Sequence, residues 1–93
     1  MHLEIVSPEA TLFSGEATSV TVPGTDGTFQ VLNNHAAIVS LLEKGTVKFT
    51  TSSALTEDFA AKFNKGKDSG EWTIDITSGT IEVKENKAIV LVD

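Results

Sequence analysis

Apolar side chains recur at every second position through most of this chain. Leu3 and Ile5 alternate with His2 and Glu4, Val20 and Val22 with Ser19 and Thr21, and Phe29 and Val31 with Thr28 and Gln30. Further on, Val47 and Phe49 alternate with Thr46 and Lys48, Trp72, Ile74 and Ile76 with Thr73 and Asp75, and Ile81 and Val83 with Thr80 and Glu82. A period of two is the signature of a half-buried strand, because successive side chains point to opposite faces. Two runs lack the polar partner set: Ile38 to Leu42, and Ala88 to Val92, which is apolar on both faces. Turn compositions punctuate the strands at Ser7-Pro8-Glu9, Ser14-Gly15, Pro23 to Gly27, Asn33-Asn34, Lys44-Gly45, Ser78-Gly79 and Glu85-Asn86. This spacing predicts an all-β domain, a small sandwich or flattened barrel of about ten short antiparallel strands.

One segment breaks the rhythm. From Ser52 to Glu71 the chain turns polar and small, and Thr56-Glu57-Asp58 ahead of Phe59, Ala60 and Phe63 reads as an N-cap, an acidic first turn and a short apolar stripe. A helix of about two turns is expected near 56–64, ended by Asn64-Lys65-Gly66 with glycine at the C-cap. The segment reads as a surface insert whose phenylalanines pack on the sandwich, in a single domain spanning 1–93.

The stretch from Pro23 to Gly45 concentrates the loops that a partner would meet. Gly24 and Gly27 bracket Thr25-Asp26, a composition that reverses antiparallel strands because glycine reaches positive φ cheaply and aspartate bonds its own backbone. Asn33-Asn34-His35 follows between two apolar runs and is rich in residues that tolerate left-handed backbone.

Charge and composition remove whole classes of function. Seven lysines and no arginine stand against thirteen acids, a formal charge of −6 that repels phosphate backbones, so nucleic acid is not an expected partner. The absence of cysteine excludes disulfides, thiolate metal sites and a cysteine nucleophile. No apolar run reaches the length of a membrane helix, and Met1-His2-Leu3-Glu4 carries an acid where a secretory leader carries bases, so a cytoplasmic chain is expected.

Chemistry is hard to place. The two histidines, His2 and His35, lie in a strand and in a loop, and no G-x-S-x-G elbow, Walker loop or metal-ligand spacing occurs, so no catalytic, nucleotide or metal residue and no cofactor is nominated. Gly24 and Gly27 spell G-x-x-G, but an RNA clamp of that type needs a helical context and a basic surface. The carboxylates read as a solvated acidic face.

The order of residues nevertheless resembles a family. Pro23-Gly24, Gly27, Val31-Leu32, His35-Ala36, Ile38 and Gly45, then Ser78-Gly79 with Ile81-Glu82-Val83, then Asn86 and Ala88 to Asp93, form ordered blocks. With the opening His2 to Glu9 and Leu12 to Ala17 they are similar to the N-terminal β-sandwich domain of the epsilon subunits of bacterial F-type ATP synthases. The resemblance covers the chain apart from the insert at 52–71. It departs at Ala37, where the family commonly has proline, at Thr80, where a second glycine is usual, and at Asp93, where many members continue into a two-helix domain. Nucleotide sensing and the inhibitory arm belong to that helical part.

What the resemblance implies is a ten-stranded sandwich at the foot of the rotor stalk, bound to the gamma subunit and to the polar loops of the membrane c-ring. It implies a non-catalytic role in coupling proton or sodium ion translocation to ATP synthesis, at the cytoplasmic face of the bacterial membrane and held there only through the complex. Carried onto this chain, the c-ring contacts are Asp26, Gly27, Thr28, Asn33, Asn34, His35 and Ala36, and the gamma contacts Ser7, Lys44, Gly45 and Thr46. Two readings stay open at His35: a donor to a ring loop, or a ring that bonds its own turn. The rival class, an extracellular adhesion or carbohydrate-binding module, wants exposed aromatic residues; the chain has no tyrosine, and its one tryptophan sits in an alternating strand.

Overall fold

The computed structural model describes residues 1–53, 55 and 60–93. Ten strands account for most of them: β1 (His2–Val6), β2 (Thr11–Glu16), β3 (Ser19–Gly24), β4 (Gly27–Leu32), β5 (Ile38–Leu42), β6 (Gly45–Thr50), β7 (Asn64–Lys65), β8 (Glu71–Ile76), β9 (Gly79–Lys84) and β10 (Lys87–Val92). They follow the order β2-β1-β10-β9-β5-β3-β6-β8-β7, with β4 paired to β3. Two five-stranded layers result, and the only strand pairing between them among the described residues is Gly24 with Leu42.

The alternation anticipated from the sequence is what fills the space between the layers. Leu3, Ile5, Ile81, Val83, Ala88 and Val90 from one layer face Val20, Val22, Val31, Val47, Phe49 and Ile74 from the other, all buried. The rings of Phe13 and Phe49 meet at 4.7 Å across this core, and Phe63 of the insert sets its edge on Phe49 at 5.5 Å and 82°. Each buried phenylalanine contributes about 1.5–3 kcal/mol from the water it displaces, and each tilted or edge-on pair about 0.5–1.5 kcal/mol more.

Four features differ from, or refine, the sequence reading. Ser14 and Gly15 lie inside β2 rather than in a turn, paired with Glu4 and Leu3. A register shift between Ile5 and Val6 puts Leu12 and Phe13 both inward, which erased the alternation that would have marked a strand. The first and last strands run parallel, Leu3 beside Ala88 and Val6 beside Leu91, whereas every other pairing is antiparallel; no hairpin joins the two, so nothing local imposes opposite directions.

The predicted helix is the fourth feature. Residues 56–59 of it lie outside the described residues, Ala60 is helical, and Asn64-Lys65, expected as its end, is strand instead. Asn64 and Lys65 pair with Thr73 and Trp72, and Gly66 N–H donates to Glu71 O at 2.7 Å, so sheet pairing replaces the C-cap. The Lys65 ammonium stands 5.9 Å from the centre of the half-buried Trp72 ring.

Candidate partner-docking surface

The strand register sorts the loops into two ends. At the end holding Met1 lie the β2–β3 connection, the loop Asn33–Ala36 and the two-residue turn Glu85-Asn86. At the end holding Asp93 lie Ser7, the β3–β4 turn, the β5–β6 turn and Ser78. The two halves of the implied c-ring set therefore separate: Asp26, Gly27 and Thr28 sit at the tip of the β3–β4 hairpin, and Asn33, Asn34, His35 and Ala36 at its base. A six-residue strand, about 20 Å long, lies between them. Conversely, Ser7 and Lys44, Gly45 and Thr46, carried over as gamma contacts, share the Asp93 end with Asp26–Thr28, and Gly45 packs on Pro23 beside that tip.

At the Met1 end the polar groups are spent inside the chain. Asn34 takes the left-handed backbone its residue type allows (φ 62), and its N–H donates to the Asn86 side chain at 2.7 Å. His35 N–H donates to Leu32 O at 3.2 Å, and the His35 Nδ1 lies 2.7 Å from Ala36 O. The Asn33 side chain accepts from the Met1 amine, which also donates to Ala17 O at 3.0 Å and lies 3.8 Å from Glu16 Oε1. This favours the reading in which the His35 ring holds its own turn. Beside this end, His2 Nε2 stands 3.1 Å from Glu4 Oε2 and Lys87 Nζ 3.5 Å from the same oxygen. The hydrogen bond from His2, then the nearby Lys87 charge, hold the Glu4 carboxyl below its usual range.

The Asp93 end is built differently. Among the described residues, the side chains of Asp26, Thr28 and Lys44 make no hydrogen bond or ion pair, and nothing lies within 4 Å of the space a side chain at Gly27 would take. Glu9, Asp26, Glu43, Asp75 and Asp93 gather here against Lys44 and Lys62. The hairpin tip folds onto β5 through Thr25 N–H donating to Leu41 O at 3.1 Å. Close packing of β9 on β10 depends on Gly79, where a Cβ would come within 2.1 Å of Leu91 O.

Sequence reasoning missed the flank next to this end. The outward side chains of β5, β9 and β10 form cross-strand rows, Leu41 beside Thr80 beside Leu91, and Val39 beside Glu82 beside Ile89. Val39, Leu41 and Leu91 are exposed by 75, 65 and 49%, a cluster of aliphatic surface on a chain of formal charge −6. The opposite flank presents Thr21, Thr46, Lys48, Thr73 and Asp75 instead. The signal was in the two runs apolar on both faces: in a two-layer sandwich one face of each strand must look outward.

No group of three or more metal-ligating side chains occurs among the described residues, and no helix there is long and apolar enough to cross a membrane. The molecule is thus a small all-β module whose notable surface is an aliphatic flank meeting an acidic end. A family model described as the ATP synthase Delta/Epsilon chain beta-sandwich domain matches residues 1–62. An ATP synthase epsilon chain of Campylobacter fetus subsp. fetus is 41% identical over 93 residues, all of this chain and 60% of that one. Another, from Chlorobium limicola, is 37% identical over 91 residues, 98% of this chain and 86% of that one. A chain in the central stalk and c-ring structure of the Tetrahymena thermophila mitochondrial ATP synthase superposes with a TM-score of 0.73 over 98% of this chain at 16% identity, covering 61% of its own length. The chain belongs to the delta/epsilon family of ATP synthase β-sandwich domains. It spans about 60% of the length of the Campylobacter relative.

Proposed function

We propose that this domain is a mechanical adaptor of the rotor: the gamma subunit seats on the aliphatic flank of β5, β9 and β10, and the polar loops of the c-ring meet the adjoining acidic end. The observation that carries this reading is the exposure of Val39, Leu41 and Leu91 next to turns where, among the described residues, the Asp26, Thr28 and Lys44 side chains make no hydrogen bond or ion pair. Burying such a flank against a second protein recovers the free energy that exposure costs, and a durable joint needs about 1,000 Å² in total. Ser7 and Lys44–Thr46 rim the gamma contact, and Asp26–Thr28 face the ring. The loop Asn33–Ala36 braces the domain from the far end.

A stalk that transmits torque needs its foot stiffly joined to the ring, because compliance there stores work elastically. Two partners on one rigid body also assist each other, since binding one raises the effective concentration of the other. The domain would then help couple proton or sodium ion translocation to ATP synthesis, held at the cytoplasmic face of the membrane only through the complex.

Titration calorimetry with the gamma subunit of the same enzyme tests the reading. Binding is expected for the wild-type chain and for Asn34→Ala, with weakening in Leu41→Asp and, to a smaller extent, in Lys44→Ala. Absence of any binding by the wild-type chain would overturn it.

A further inference from the structure

Where the aliphatic flank meets the acidic end, the surface opens into a crevice of about 480 Å³, lined by Thr25, Leu41, Ser78, Thr80, Leu91 and Asp93. That volume falls within the roughly 300–1,000 Å³ range of recognition clefts. Its two walls come from different parts of the chain. The hairpin tip is held over β5 by the Thr25 to Leu41 hydrogen bond, and β9 and β10 approach closely enough at Gly79 that only a hydrogen fits there. The crevice is thus set by backbone contacts.

We infer that this crevice is the anchor pocket for one large apolar side chain of the gamma subunit, flanked in gamma by a lysine or arginine. The inference rests on the docking reading above and adds the chemistry of the partner. Leu41 and Leu91 supply the apolar walls, exposed by 65 and 49% and so left to be covered. The mouth is polar. Ser78 Oγ donates to the Asp93 carboxylate and orients it, and among the described residues the Thr25 and Thr80 hydroxyls are uncommitted. An apolar knob alone would strip water from the Asp93 carboxylate without replacing it, and leaving a charge unpaired in an interface is costly. A cation next to the knob removes that cost. Asp26 and Glu43, exposed on the neighbouring turns, extend the same negative field. A second copy of this chain would bring its own acidic end against this one, so self-association is disfavoured by the same charges.

Calorimetry of the chain with gamma, at low and high salt, tests the pocket. Thr80 lies outward on β9 between Leu41 and Leu91, so Thr80→Trp plugs the crevice without entering the core. It should weaken gamma binding at least about tenfold, as expected for occlusion of a hot-spot pocket, while the melting temperature holds and Thr80→Val binds as the wild type does. Leu91→Gln provides the same test from the opposite wall should the tryptophan variant fold poorly. Asp93→Asn should lower affinity at low salt and flatten its salt dependence. Wild-type affinity in both folded Thr80→Trp and Leu91→Gln overturns the anchor pocket, and the docking reading then stands only if Val39→Asp, outside the crevice, still weakens binding. Unchanged salt dependence in Asp93→Asn overturns the basic neighbour. A wild-type chain that does not bind gamma overturns both readings together.

Discussion

The two ends of this sandwich handle their polar groups in opposite ways. At the Met1 end, Asn34 bonds to Asn86, Asn33 to the chain amine and His35 to the backbone of Leu32 and Ala36, and Thr18 N–H and the Thr51 hydroxyl tie β6 to the neighbouring connection and strand. At the Asp93 end Ser7, Thr46 and Ser78 are bonded within the chain, but among the described residues the Asp26, Thr28 and Lys44 side chains make no hydrogen bond or ion pair, and two exposed leucines stand next to them. Groups satisfied internally contribute to folding and have little left to offer a partner. Groups left unsatisfied on a rigid frame contribute little to folding and are available for recognition. The contrast implies that the two ends can be damaged separately.

The largest effect is expected where both roles coincide. Gly79→Ala forces a methyl into Leu91 O between β9 and β10, beside the crevice, so stability should fall by about 3 kcal/mol or more and the crevice should be distorted with it. Thermal unfolding together with gamma titration reads both losses; a fully stable Gly79→Ala protein would show that this contact yields. Next, Leu41→Asp should cost about 2 kcal/mol of binding, a hot-spot magnitude, with the melting temperature nearly unchanged. The converse change is Asn86→Ala at the far end. It removes the acceptor for Asn34 N–H and should cost about 1 kcal/mol of stability, a drop in melting temperature of roughly 4–8 °C, with gamma affinity intact. If that variant lost binding instead, the division between the ends would fail.

Smaller effects sharpen the picture of the Met1 end. Glu85 sits at φ 52 in a turn whose other residue, Asn86, is at φ 59, the left-handed pair of a type I′ hairpin that glutamate adopts poorly. Glu85→Asn should raise stability by about 0.5 kcal/mol in denaturant titration. Glu4 gives the pH dependence. Its carboxyl is held low in the folded state, so its contribution is present above the unfolded value near 4.5 and is lost as pH falls below that value through the folded one. In Glu4→Gln the decline of stability across that acid range should be shallower; an identical acid profile would remove the His2 and Lys87 contacts from the account.

Much of the fold was legible because its strands obey one rule. Wherever one face is buried and the other solvated, as in Val20 to Val22 or Ile81 to Val83, the period of two is written plainly. β2 was hidden because its bulge turns two successive side chains inward and its Ser14-Gly15 mimics a turn. The pairing of β1 with β10 was beyond reach, since no local sequence encodes which distant strand lies alongside. The turns at Asp26 and Lys44 were legible as reversals, though Gly27-Thr28 and Gly45-Thr46 open strands β4 and β6, and their grouping was not visible. Thr28 and Asn33 are near in sequence and opposite in space, because a strand between two turns carries them apart.

The parallel pairing of the first and last strands has a consequence for how this domain comes into being. β10 inserts between β1 and β9, so the β2-β1 hairpin has no place in its layer until β10 arrives. The β1–β10 contacts close the longest loop of any strand pairing described, so they carry the largest loop-closure entropy in sheet assembly. On the ribosome, the layer containing β3, β4 and β6 can organise early, while the aliphatic flank is completed only once β10 has emerged. The docking surface and the finished fold are therefore born in the same event, and a half-made chain has no proper seat to offer its partner.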